Sequence, residues 1–78
     1  MDEYTEAAAA ELRAAQGRAQ LSDAKLAEKA GIPVVTLRRY LKGTRDTPSS
    51  ALIKIALALD LTMGELLDEA MKRVRPQK

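Results

Sequence analysis

The side chains of this sequence that are best equipped for chemistry are cations concentrated in one short stretch. Two valines come first and the cations follow within a few residues: Val34, Val35, Arg38, Arg39, Lys42 and Arg45. Guanidinium and ammonium groups donate hydrogen bonds and attract anions, but they hold their protons near neutral pH. The stretch therefore favours binding over acid–base catalysis.

The composition removes most other chemistry. The chain of 78 residues has no cysteine and no histidine, which excludes thiol nucleophiles, disulfides, zinc sites with the usual ligands and the commonest general base. We therefore expect a protein that is not an enzyme and that holds no metal and no cofactor. The net charge is only +2, so any basic function must lie in local clusters.

Length and hydropathy limit the architecture and the location. A chain of 78 residues supports one domain, 1–78, with one modest core. Asp2, Glu3 and Glu6 make the N-terminus acidic, and no apolar run reaches the length of a bilayer span. We expect a cytoplasmic protein that does not contact a membrane.

The first part of the chain predicts two helices. Residues 3–20 are helix formers with apolar side chains at helical spacing, Tyr4 among them, and predict a first helix that is weakened at Gly17. Ser22 is a good N-cap for a second helix, which stops at Gly31 because glycine tolerates positive φ.

The rest of the chain predicts three more helices and no strand. Pro33 suits a helix start, and apolar residues lead from it to Gly43. After the polar loop "GTRDTPSS", the segment "ALIKIALAL" predicts a fourth helix that Asp60 closes. Thr62–Glu65 has the capping-box pattern ahead of the last helix. The expected class is all-α, with a frayed basic tail at about 72–78.

Residues 22–43 have the features of two helices joined by a tight turn. The small side chain of Ala27 allows the helices to approach, and Gly31 permits the turn. The expected core of the motif is Leu26, Ala27, Gly31, Ile32, Leu37 and Tyr40. The opposite side of the third helix would carry Pro33, Val34, Val35, Arg38, Arg39 and Lys42. Such a helix fits the major groove of DNA, which is about 12 Å wide.

At this point the chain resembles the helix-turn-helix family of the phage repressor and Cro type, also called xenobiotic-response-element-like. "LRAAQGRAQLSDAKLAEKAGI" is similar to the first two helices of that family, and "TPSSALIKIALALDLTMGELL" resembles its fourth helix, turn and fifth helix. The resemblance implies a compact five-helix lambda-repressor-like fold with the motif at helices 2 and 3. It also implies a stand-alone Cro-like regulator that represses transcription by occupying an operator.

The resemblance further implies which residues contact double-stranded DNA. The residues at base edges in the major groove would be Val34, Val35, Arg38 and Arg39. A valine methyl would pack against the methyl group of thymine, and an arginine would bind guanine in a bidentate way. The phosphate contacts would be made by Ser22, Lys42, Thr44 and Arg45, together with the start of the second helix.

Three positions depart from the family pattern. Asp23 stands where a glutamine is usual, and because a carboxylate beside a phosphate is unfavourable, we expect it to stabilise the helix dipole instead. Pro33 replaces a Ser or Thr cap, so other contacts must hold the start of the third helix. Leu41 replaces a polar or acidic residue, which predicts packing against the first helix or against a partner.

A single domain of this kind makes few DNA contacts, so the resemblance implies a homodimer on a pseudo-palindromic operator. It also implies that the protein binds no small-molecule ligand. The candidate interface residues are Leu61, Met63, Leu67, Met71 and Val74, for which packing in the core is the alternative.

Other interpretations stay open at this stage. The two valines can be packing residues, and the arginines can form an ordinary solvated face. The basic tail at 72–78 can be a solubilising segment or a DNA-binding arm. An antitoxin of this fold would bind a toxin in addition to DNA, and a protein-interaction module would bind no DNA.

Overall fold

Five α-helices make up most of the structure, a computed structural model that describes residues 3–74. They are α1 (Glu3–Ala19), α2 (Asp23–Ala30), α3 (Val34–Lys42), α4 (Ser49–Ala58) and α5 (Met63–Val74). No strand occurs within residues 3–74, so the predicted all-α class and the five helices are confirmed. Of the expected frayed tail, residues 72–74 instead continue α5, and residues 75–78 lie outside the described part of the chain.

The helix starts follow from local side-chain chemistry. Ser22 Oγ accepts a hydrogen bond of 3.1 Å from the Lys25 backbone N–H, which confirms the N-cap of α2. At α5, the Glu65 N–H donates to Thr62 Oγ1 at 3.0 Å, and the Glu65 carboxylate accepts from the Thr62 N–H at 2.8 Å. The predicted capping box is therefore confirmed. Pro33 is the N-cap of α3 and makes no side-chain cap, as its chemistry requires.

The first four helices end in the same way, with a residue in the left-handed conformation just past the helix. These residues are Gln20 (φ 57°), Gly31 (φ 73°), Gly43 (φ 76°) and Asp60 (φ 60°). In each case, the N–H of the following residue donates back to a carbonyl five positions earlier, which is the Schellman arrangement. The connections are consequently short and fixed. Gly17 lies inside α1 and does not end it.

The core lies between the helices and draws on all five of them. α1 packs against α3 and α5, while α2 packs against α3 and α4. The fully buried large side chains are Leu12, Leu26, Leu37 and Ile55. Of the residues expected in the core of the motif, Leu26, Ala27, Leu37 and Tyr40 are buried, and Ile32 is half-buried against the same core. Gly31 is exposed at the turn.

The buried residues of α1 differ from the expected ones at two positions. Tyr4 is exposed, and the carboxylate of Glu11, further along the helix, is buried. Glu11 is only 2% exposed, since it follows Ala7 and precedes Ala15 at intervals of one turn. Its carboxylate accepts hydrogen bonds from Arg18 at 2.8 Å and from Arg73 at 3.1 Å. The bond to Arg73 links α1 to the end of α5.

Replacing Ala27 by leucine should destabilise the fold. Ala27 is 3% exposed where α2 meets the core, so three additional carbon atoms must displace neighbouring side chains. We expect a loss of about 1–3 kcal/mol in the free energy of unfolding. Urea unfolding measures this loss. Ala24→Leu is the matched control, because Ala24 is exposed on the same helix and should tolerate the change; equal losses would contradict the packing of α2.

Replacing Glu11 by glutamine should also weaken the fold. The amide keeps the size of the side chain but cannot pair with two guanidinium groups, and we expect a loss of about 1–3 kcal/mol. The cost stays below that of a fully buried ion pair because Arg18 and Arg73 are partly exposed and can be hydrated. Thermal unfolding of Glu11→Gln and of the exposed control Glu28→Gln compares the two sites, and indistinguishable melting temperatures would count against a structural role for Glu11.

Candidate nucleic-acid interface

The inner side of α3 fixes the orientation of the helix. Leu37, Tyr40 and Leu41 are buried, and Val34 is half-buried against the same core. Val34 precedes Leu37 by three residues and Leu41 by seven, so helical geometry places it on the same stripe. The expectation that Val34 lies on the outer side with Val35 is therefore wrong for most of its side chain. Leu41 packs within the core of the chain itself, as one of its two predicted alternatives required.

The outer side of α3 carries an exposed row of one valine and two cations. Val35 is 56% exposed, and Arg39 and Lys42 follow it at intervals of four and three residues. These intervals bring the three side chains onto one face of the helix. The valine at one end of this row can pack against a methyl group, and the two cations that follow it attract a polyanion.

Arg38 lies at the edge of this row and is held by a carboxylate from α2. Its Nε donates to Asp23 Oδ2 at 3.2 Å, and the Gln16 side-chain amide donates to Asp23 Oδ1 at 2.7 Å. The Gln16 hydrogen bond lowers the pKa of Asp23 below its usual value, and Arg38 lowers it further. Asp23 is thus ionised at neutral pH. Asp23 lies at the start of α2 and binds side chains of α1 and α3, so it joins three helices.

The start of α2 offers hydrogen-bond donors beside this face. Ser22 is exposed and its oxygen accepts from the Lys25 N–H, so the hydroxyl proton can still be donated to an anion. The first N–H groups of any α-helix have no partner within the helix, and the helix dipole adds a partial positive charge there. The predicted anion-binding character of this helix start is consistent with its exposure.

The loop after α3 has two different kinds of residue. The Thr44 hydroxyl donates to the Arg39 carbonyl at 3.2 Å and thereby caps α3. Its single proton is used there in this conformation, so the expected phosphate contact would require the hydroxyl to give up this bond. Arg45 is exposed beyond it. Asp46 accepts a hydrogen bond from the Thr5 hydroxyl, which attaches the loop to α1.

Two residues of α1 belong to this region, although sequence patterns did not mark them. Arg13 donates to the Leu41 carbonyl at 2.5 Å and pairs with Glu6 at 3.1 Å, and Gln16 holds Asp23. An open depression of about 410 Å³ separates α1 from α3 and is lined by Arg13, Gln16, Asp23, Arg38, Leu41 and Lys42. Arg13 and Gln16 are three residues apart and therefore lie on one face of α1. This spacing is the only signal of their role in the local sequence.

The five candidate interface residues near α5 divide into two groups. Leu61 and Met63 are half-buried against the core of the chain, as the packing alternative required, and Val74 is half-buried at the end of α5. Leu67 and Met71 are exposed one turn apart on α5. A second exposed apolar pair, Ile53 and Leu57, lies one turn apart on α4 and was not expected from the sequence.

Within 3–74, no group of three or more Cys, His, Asp or Glu side chains is arranged to hold a metal ion. None of the five helices described is long and apolar enough to cross a membrane.

Comparison with known proteins gives one match. The sequence pattern of the helix-turn-helix family matches residues 10–66, which contain α2, α3, α4 and most of α1. No curated protein and no solved structure shows significant similarity to the chain. The match covers most of the sequence and includes the whole of the α2–α3 motif, so this chain belongs to the helix-turn-helix family of the phage repressor and Cro type, a family of DNA-binding transcriptional regulators.

Proposed function

We propose that this protein is a sequence-specific transcriptional repressor of the Cro-like kind, which binds an operator in double-stranded DNA and blocks transcription by occupancy. The observation that carries the proposal is the exposed row of Val35, Arg39 and Lys42 on α3, the second helix of the motif. In this family of folds the second helix of the motif enters the major groove. The row combines an exposed apolar side chain with two cations, which suits contact with base methyl groups and phosphates.

Base recognition is assigned to the outer side of α3. Arg38 and Arg39 bind guanine O6 and N7, and the exposed methyls of Val35 pack against a thymine methyl. Val34 presents only the part of its side chain that the core leaves open, so its base contact is the smaller of the two.

Phosphate contacts are assigned to the surroundings of α3. The Ser22 hydroxyl and the first N–H groups of α2 bind a phosphate on one side of the groove, and Lys42 and Arg45 bind phosphates on the other. The role of Thr44 is to cap α3 and to present Arg45. These contacts set register and affinity and do not depend on sequence.

A homodimer is part of the proposal, with Leu67 and Met71 of α5 at its interface. Both side chains are exposed and apolar, and their separation of four residues makes a continuous ridge. Two copies joined in this way read two half-sites about one helical turn of DNA apart. We propose no enzymatic activity, no cofactor and no small-molecule ligand, and a site of action on the DNA in the bacterial cytoplasm.

A second candidate function is that of an antitoxin, which binds DNA and also covers a toxin. The observation in its favour is the exposed pair Ile53 and Leu57 on α4, which the proposed DNA contacts do not use. Co-purification with a second small protein that is lost on replacing Leu57 by glutamate would support this function.

The DNA-binding proposal predicts opposite behaviour for two arginines. Arg39→Ala should lower the preference for one base pair by about 1–3 kcal/mol, because a bidentate guanine contact is lost. Arg45→Ala should weaken binding to all sequences alike and flatten the plot of log affinity against log salt by about 0.9 units, as expected for one phosphate. Sites selected from a random DNA pool, titrated at several salt concentrations, measure both effects.

The control for these titrations is Lys72→Ala, which removes a cation from α5 and should change neither quantity. A protein-interaction module would bind no duplex even at low salt. If Arg39→Ala and Arg45→Ala both behave like Lys72→Ala, α3 does not face DNA.

The dimer proposal predicts that substitutions in the two exposed apolar pairs, one on α5 and one on α4, have different effects on the oligomeric state. The double variant Leu67→Glu, Met71→Glu should sediment as a monomer at concentrations where the wild type is a dimer, because charged carboxylates cannot be buried in the interface without a partner. Ile53→Glu, Leu57→Glu makes the same change on α4 and should remain a dimer. If only the α4 variant dissociates, the dimer interface lies on α4 and the proposed interface on α5 is wrong.

A further inference from the structure

We propose that Asp23 is a positioning residue for sequence recognition: it holds the Arg38 guanidinium so that the two terminal nitrogens point away from α2 towards a guanine. This inference rests on the proposed DNA-binding function and names a determinant of its specificity. The pair that it forms with Arg38 joins two helices across 15 residues of the chain.

The geometry of the three-helix network carries the proposal. The two carboxylate oxygens of Asp23 have different partners, Gln16 of α1 at 2.7 Å and Arg38 of α3 at 3.2 Å. The Gln16 bond prevents the carboxylate from turning away, and the start of α2 fixes its backbone. Arg38 therefore meets an acceptor that is itself held in place. The lowered pKa of Asp23 keeps this acceptor ionised.

The choice of nitrogen decides what Arg38 can do. A guanidinium has five N–H donors, of which Nε carries one and the terminal nitrogens carry four. Asp23 occupies Nε, so the fork formed by the two terminal nitrogens is left for a bidentate contact. A side chain that is already oriented also loses less conformational freedom on binding. The Arg38 side chain is half-exposed in this arrangement, as a residue that contacts a base must be.

The neighbouring arginine provides a contrast within the same helix. Arg39 makes no ion pair with any residue of the described segment 3–74, and it stands in the exposed row with Val35 and Lys42. No carboxylate of the described residues therefore orients Arg39 before DNA binds. Of the two arginines, Arg38 is the one whose direction is set before binding.

The charge of Asp23 also has a consequence for affinity. A carboxylate at the start of α2 repels phosphates and lowers affinity for every sequence, since this helix start faces the backbone in the proposed docking. The guanine contact of Arg38 offsets that loss only on the correct site. The repulsion alone leaves the ratio of specific to non-specific affinity unchanged, so Asp23 increases this ratio by orienting Arg38, while its charge keeps binding to all sequences weaker.

The test uses Asp23→Asn together with a matched control, Glu28→Gln. Both substitutions remove one carboxylate from α2, but Glu28 is exposed and, within residues 3–74, forms an ion pair only with Lys25 of the same helix. Gln16 and Arg38 donate to different oxygens of Asp23, and an asparagine puts an NH2 donor in place of one of these two acceptors. Arg38→Ala first identifies the base pair that Arg38 reads on a selected duplex. Affinities are then measured for that duplex, for the duplex with this pair changed, and for random DNA.

Asp23→Asn should lower the preference at the Arg38 pair by about tenfold while raising affinity for random DNA. The preference at the pair read by Arg39 should not change. Glu28→Gln should leave both preferences unaltered. In the Arg38→Ala background, Asp23→Asn should have no further effect on preference, because the two residues act as one unit. Equal behaviour of Asp23→Asn and Glu28→Gln would overturn the proposal and reduce Asp23 to a contribution to net charge.

A measurement on the free protein separates this inference from the function on which it rests. The Nε–H of Arg38 should exchange slowly with solvent in the wild type and rapidly in Asp23→Asn and in Asp23→Ser, as followed by nuclear magnetic resonance. If the wild type binds no duplex, the proposed function fails whatever the exchange rates are. If the wild type binds and both Asp23 variants keep the full preference at the Arg38 pair, the positioning role fails, even where their melting temperatures fall.

Discussion

The rotation of α3 about its own axis is the constraint on which the rest of the surface depends. A helix of nine residues has few side chains to set its orientation, and here Leu37, Tyr40 and Leu41 do so by burial in the core. Burying this stripe places Val35, Arg39 and Lys42 on the opposite side and leaves Arg38 at the edge, beside Asp23. A change in rotation by one residue would bury a cation, so the hydrophobic core and the exposed chemistry are determined together.

The helices themselves are held in register by their ends. The small domain has no disulfide to restrict its connections, but each of the first four helices closes with a left-handed residue and a backward hydrogen bond. The apolar residues that follow three of these closures, Leu21, Ile32 and Leu61, pack against the core. Each turn therefore fixes the direction of the next helix. At the α2–α3 turn this holds the start of α2 close to the outer row of α3.

Within residues 3–74, two carboxylates bind an arginine of another helix. Glu11, buried in α1, binds Arg73 of α5, and Asp23 at the start of α2 binds Arg38 of α3. The first pair stabilises the packing of the terminal helices, while the second lies at the candidate interface. With a net charge of only +2, the chain concentrates positive charge locally, in the cations of α3 and of the loop that follows it.

The sequence by itself determined the five helices, their caps and the motif, because those features depend on contacts between residues close together in the chain. The Ser22 cap, the Thr62–Glu65 capping box and the turn at Gly31 each involve residues within one or two helical turns. Only the tertiary structure decided that Val34 turns towards the core and that Glu11 is buried. It also decided that Asp23 meets Arg38 across 15 residues and that Glu11 meets Arg73 across 62. Pairs so far apart in the chain leave no periodic signal, and the packing of helices against a common core brings them together.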